Sequence, residues 1–166
     1  MKLFKLALLV FATAFIFKQA ISQNALINVL TQNTGVVHIG GTVFFEVTVN
    51  NTDPTNFIGV YKIKVQVSVP SIIVSIASTG HILPTGWTIT SNDGFVINLS
   101  NGKDMIAAND ARTILIAVKG NKIGGPSTLS GQLFFADGIQ PGTDPGILTG
   151  DNPADNFSTS TCKVIR

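Results

Sequence analysis

The sequence predicts an all-β fold: two antiparallel sheets stacked face to face, preceded by a cleavable leader. Three observations predict it. Apolar and polar residues alternate with period two over most of the chain, and helical periodicity is scarce. Clusters of Gly, Pro, Asn and Asp punctuate that alternation at the short intervals typical of sandwiches. The front of the chain, residues 1–22, has a different composition altogether.

That front segment reads as a secretory signal peptide. Lys2 and Lys5 form a positive n-region, 6–17 is an apolar run, and Ala20, Ile21 and Ser22 offer small residues for a peptidase. The apolar run is too short to cross about 30 Å of hydrocarbon as a helix. Cleavage after Ser22 or Gln23 leaves residues 23–166 as one domain, long enough for a sizeable core.

The strands follow in order. A short one is expected at 26–31. Residues 42–50 form a strong one, with Val43, Phe45, Val47 and Val49 on one face, and a turn cluster ends it at Asn51-Thr52-Asp53-Pro54. The cleanest alternation is 60–69, where Tyr61, Ile63, Val65, Val67 and Val69 share the core face and Lys64 faces solvent. Pro70 stops it, and 72–77 is short. Residues 87–90 and 95–99 flank Asn92-Asp93-Gly94, a hairpin signal. Residues 112–119 alternate again, with Ile116 inward. Strands at 129–136 and 156–165 complete a set of seven to nine. Residues 137–155 are rich in Gly, Pro and Asp and read as a long loop. Each strand has one apolar face, and stacking two sheets is the way to remove those faces from water. Phe44, Phe45, Phe95, Phe134, Phe135 and Trp87 supply bulk, and burying one large side chain is worth about 1.5–3 kcal/mol.

Charge and residue type exclude several functions. The chain holds 11 Lys and Arg, three of them in the leader, against 9 Asp and Glu, so the processed chain carries one net negative charge. It has no electrostatic footprint for nucleic acid, and no transmembrane segment follows the leader. Cys162 is the lone cysteine, which rules out an internal disulfide; it reads as a buried, inert residue of the last strand, with intermolecular pairing as the alternative.

Catalytic residues are not predicted. His38 and His81 stand beside turns without acidic or nucleophilic neighbours and read as exposed loop residues. The Gly-x-Ser-x-Gly pattern is absent. Glu46 is the one Glu, and the Asp residues cluster in turns, which leaves no pair for glycoside hydrolysis. Asp137, Asp144, Asp151 and Asp155, with Asn152 and Asn156, are the weak calcium candidates, since calcium takes six to eight oxygens from such groups. Their spacing fits no known calcium loop, and turn chemistry is the expected use. No metal and no cofactor are therefore predicted. Trp87 and Tyr61 invite a sugar-stacking reading, but core packing is the expected use.

Three segments carry a family resemblance: the strand Gly41 to Thr52 running into Asn50-Asn51-Thr52, the strand entry Leu83-Pro84-Thr85-Gly86-Trp87, and Gly150-Asp151-Asn152-Pro153-Ala154-Asp155-Asn156 before a Ser/Thr-alternating last strand. In this order they resemble the immunoglobulin-like "conserved repeat" domains of bacterial cell-surface and adhesin proteins, over roughly residues 25–165. The resemblance implies an immunoglobulin-like sandwich and a structural or adhesive role at the cell envelope or outside it. It brings no catalytic residues. A carbohydrate- or ligand-binding module is the alternative, and a hydrolase ranks third. The expected partner is a second copy or a surface protein, docked through a sheet edge. Residues 24–31 and 157–162 carry no charge, and charge is what keeps edges from pairing. The plainer reading is that 24–31 pairs within its own sheet.

Overall fold

The computed structural model describes residues 24–69, 72–136, 145–146 and 151–166. The leader, Asp137 and Asp144 lie outside the described residues. Eleven strands are present among the described residues: β1 (Ala25–Thr31), β2 (Val36–His38), β3 (Thr42–Asn51), β4 (Ile63–Ser68), β5 (Val74–Ile76), β6 (Thr88–Asn92), β7 (Val96–Ser100), β8 (Ala111–Gly120), β9 (Gly124–Ala136), β10 (Pro145–Gly146) and β11 (Phe157–Ile165). The two described helical turns, Asn33–Gly35 and Pro153–Asp155, are single 3-10 turns. The excess over the expected strands consists of β2 and β10, three and two residues long, too short for alternation to register.

Two sheets form. One has the order β1-β3-β8-β5; the other runs β2-β11-β9-β4-β7-β6, with β10 beside β9. Neighbours are antiparallel except β2, which pairs with the last residues of β11 in parallel. Register follows the apolar pattern. Phe45 lies opposite Ile116, Val47 opposite Ile114, and Val65 between Leu99 and Leu133, all buried in one shared core. A one-residue slip in any of these strands would turn that set to water.

The core predictions for Val47, Val65 and Ile116 hold. Lys64 is half-buried rather than free in solvent, on the outer face of its sheet beside Phe134. Three expectations need correction. Tyr61 is exposed, because the chain turns there with positive φ and β4 begins only at Ile63. Phe95 is also exposed, standing at the β6–β7 turn, while Phe44 and Phe134 are half-buried on outer faces; Phe45, Phe135 and Trp87 supply the aromatic core. His81 is half-buried, not a free loop residue.

The sandwich has two flanks where the sheets' edges face each other. On one, β1 of the first sheet runs beside β11 of the second. On the other, β6 ends the second sheet and β5 the first.

Candidate functional site

The polar residues of the resemblance motifs act as staples. Asn51 is buried at the end of β3. Its amide donates to the carbonyls of Asn56, Ile106 and Ala107, and its Oδ1 accepts from the Asp53 N–H. Asp53 accepts from the N–H groups of Thr55 and Asn56 at 2.8 Å each, which holds its pKa down at about 2. Asn101 repeats the device: Oδ1 takes the Ile63 N–H, and Nδ2 donates to Gly59 and Asp104 carbonyls. Both amides replace backbone partners that buried loops would otherwise lack.

Trp87 is buried and donates its indole N–H to Asp104 at 2.9 Å. Arg112 bridges to Asp104 at 2.8 Å and to Asp110 at 2.6 Å, and these carboxylates raise the guanidinium's pKa. Gly86, at φ +88°, lies so close to this loop that a Cβ would sit 2.9 Å from the Asp104 nitrogen. The proline–x–glycine–aromatic motif thus fastens one turn to the 101–110 loop. The sequence held a signal for it: Arg112 shares the inward register of Ile114 and Ile116, and a charge there needs a partner.

The acidic stretch behaves in the same way. Asp151 and Asp155 are brought together, close enough for Asp151's charge to act on Asp155. Asp151 accepts from the Ala25 N–H and from the Asn156 amide, tying the start of β1 to the approach to β11. Asn152 caps the short 3-10 turn by accepting from Ala154. The Oδ1 atoms of Asp155 and Asn156 are buried without partners, and burial, together with Asp151, pushes the Asp155 pKa up. Among the described residues no three His, Cys, Asp or Glu side chains gather in a metal-binding group.

Among the described residues the histidines bond backbone groups. His38 is exposed and bonds the Arg166 carbonyl through Nδ1. His81 accepts the Ala117 N–H at Nδ1, so its proton resides on the buried, unpartnered Nε2, and burial lowers its pKa. Cys162 is buried with its pKa raised, which removes it as a cross-linking thiol. An open pocket of about 320 Å³ lies where β1 and β3 meet the 109–110 turn, lined by Asn28, Asn50, Asn51, Thr52 and Asp110 with Leu26. No aromatic ring lines it.

At the sheet edges the plainer reading of 24–31 holds and the docking reading of these segments does not. β1 pairs with β3 along its whole length, and its outer edge is closed by β11. The N–H groups of Val29 and Thr31 donate to the hydroxyls of Ser158 and Ser160, and the Thr31 and Ser160 hydroxyls bond at 2.9 Å. Residues 24–31 and 157–162 are therefore not free to add to another sheet. An open edge is β6, which among the described residues pairs with β7 alone and has Thr88, Ile89, Thr90 and Ser91 exposed. It carries no charge, and a bulge between Ile89 and Ser91 bends it.

No protein-family profile and no curated protein matches the sequence. Solved structures do resemble it. A cohesin module of a Clostridium perfringens family 33 glycoside hydrolase superposes with a TM-score of 0.53 at 14% identity, covering 86% of this chain and 96% of that one. The CARDB domain of a Pyrococcus furiosus protein, solved with di-metal ions, gives 0.52 at 14%, covering 87% and 90%. BcpA, the major pilin subunit of Bacillus cereus, gives 0.52 at 10%, covering 86% of this chain and 40% of the pilin. No described helix is long and apolar enough to cross a membrane. With two antiparallel sheets around one core, and likenesses at this level of identity that speak for fold alone, the chain is an immunoglobulin-like β-sandwich of the kind the conserved-repeat resemblance implied.

Proposed function

We propose that this chain is an exported, non-enzymatic structural module of a cell-surface assembly, residues 1–22 being its leader and 23–166 one domain. The observation that carries the reading is β6, an exposed, uncharged strand at the end of a sheet that among the described residues pairs with β7 alone, the kind of edge a partner's strand can extend. Three further features support it. Polar residues that resemble site chemistry in sequence are consumed in fastening loops. The same sandwich serves in a pilin subunit. The leader sends the chain out of the cytoplasm. Asp151 and Asp155 are tethers in this reading rather than metal ligands, and a melting midpoint equal in calcium and in chelator is expected.

The test is twofold. Protease treatment of intact cells should remove the chain, and light scattering of residues 24–166 should show concentration-dependent association at micromolar levels. A chain protected inside cells, or a strict monomer that also captures no surface protein, sinks the proposal. The polar pocket beside Asn28 and Asp110 favours the second reading, a small polar ligand such as a glycan; a glycan array that gives no binding removes it.

A further inference from the structure

The two ends of the sandwich are chemically unlike. At the end holding the 52–62 and 101–110 loops, acids and amides bond the backbone. At the other end, where β3 begins and β8 and β11 finish, the loops expose aliphatic side chains. Ile72 is 71% exposed, Ile39 50% and Ile123 48%.

These three residues stand on loops that are fastened together. The N–H groups of Asn121 and Lys122 donate to the Ile73 carbonyl, next to Ile72. Gly40 donates to Gly120, and Ile39 to Ile165. A Cβ on Gly125 would meet both Ile73 and the backbone of Lys163. The apolar side chains therefore share one rigid end.

The cations at this end are exposed as well. Lys122 precedes Ile123, Lys163 lies beside Gly125, and Arg166 is held by His38. None of the three has an ion-pair partner among the described residues. The described side-chain carboxylate at this end, Asp93, accepts instead from the N–H groups of Phe95 and Val96, and the backbone oxygen of Arg166 is taken by His38.

We propose that this end docks on an anionic lipid surface. Exposed apolar groups rimmed by unneutralised cations are what an acidic bilayer complements. The aliphatic side chains enter the boundary of the acyl region, and the cations meet phosphate above it. Isoleucine, which offers a sugar neither a stacking face nor a hydrogen bond, suits hydrocarbon. This proposal is independent of association at β6.

The experiment is vesicle flotation of residues 24–166, which hold every described strand and the whole described core. Vesicles of phosphatidylcholine alone are compared with vesicles containing a quarter phosphatidylglycerol. The expected result is partition onto the acidic vesicles only, weakened by salt. Each of Lys122→Gln and Lys163→Gln should weaken it about fivefold. The pair Ile72→Ser and Ile123→Ser should abolish it, while Phe57→Ser with Met105→Ser at the opposite end should leave it intact. Thermal melts of each variant separate lost binding from lost folding, since all these side chains except the half-exposed stems are outside the core. The proposal fails if acidic vesicles bind no protein. It fails equally if the opposite-end pair is the one that matters. Full binding by the Ile72 and Ile123 serine pair overturns it too, because the surface would then read charge alone, as a soluble polyanion or an acidic protein would.

Discussion

Along one flank of the sandwich, β1 lies against β11 with serine hydroxyls filling the place of a backbone ladder; along the other, β6 has β7 on one side and nothing of comparable length on the other. β6 is uncharged and hydroxyl-rich, and so is the stretch 157–162 of β11 that lies beside β1. Their fates are opposite. What separates them is which face the small polar residues take. Ser158 and Ser160 share the inward register of Cys162 and Val164, so their hydroxyls point at the neighbouring sheet and satisfy its N–H groups. In β6 the hydroxyls spend themselves locally: Thr90 donates to the Asn98 carbonyl of β7, and Ser91 accepts from the Asn98 amide. An edge is closed by where its donors and acceptors point and left open when they are used up at home.

The closed flank breaks most severely at Gly131. This residue of β9 is buried, and a Cβ there would sit 2.6 Å from the Val29 side chain and 3.2 Å from Ile27. The close approach of β1 needs the missing side chain. Gly131→Val should cost about 3 kcal/mol by overpacking, read as a lower denaturant midpoint. A midpoint equal to the parent's would mean that β1 does not press on β9 as described.

A gentler break comes at Ser160. It accepts from the Thr31 N–H at 3.0 Å and exchanges a bond with the Thr31 hydroxyl, and Thr31 is buried. Ser160→Ala removes the hydroxyl without adding bulk and strands two polar groups, for about 2 kcal/mol. Hydrogen exchange sharpens the reading, since the Val29 and Thr31 amides should lose protection while the β3–β8 ladder keeps its own. Uniform loss over both ladders would refute a local closure.

The open flank should respond in reverse. Thr90→Lys places a charge on an exposed edge and should shift stability by no more than about 0.5 kcal/mol. Its effect should fall on association, which light scattering should find abolished. Association that persists in Thr90→Lys would move the contact elsewhere on the molecule.

Legibility followed the same physics. β3, β4 and β8 were readable because each is long and buried on one face, so that Val47, Val65 and Ile116 could be placed by register alone. Tyr61 was misplaced because alternation continued one step past the true strand start, where backbone geometry and not side-chain polarity decides. β2 was invisible, three residues long and parallel to a partner over a hundred positions away. The flanks were only half legible for a related reason: 24–31 pairs within its own sheet, as the plainer reading had it, while the edge at β6 was not singled out. An uncharged strand can be either sheltered or exposed, and only the partner it meets tells which. The staples at Asn51 and Asn101 were hidden too, since a buried amide in a turn has the same letters as a solvated one.

The smallest expected effect lies at the top of the closed flank, where Asp151 fastens Ala25 and Asp155 sits beside it with one buried, unpartnered oxygen. Burial and the Asp151 charge raise the Asp155 pKa above its ordinary 3.8. A carboxyl whose folded pKa is raised binds its proton more tightly in the folded state. It therefore opposes folding once ionised, and stability declines as pH rises from the ordinary value through the raised one. Asp155→Asn removes that penalty and keeps an oxygen for the Asn152 amide. The variant should match the parent in acid, where both side chains are neutral, and gain a slightly higher denaturation midpoint near neutral pH. The comparison isolates this group, because Asp53 and Asp93, whose pKa values are lowered, titrate identically in both proteins. A gain of equal size at both pH values would assign it to packing. A loss at neutral pH would show that ionised Asp155 is stabilised where it stands, and the closed flank would then owe part of its hold to that charge.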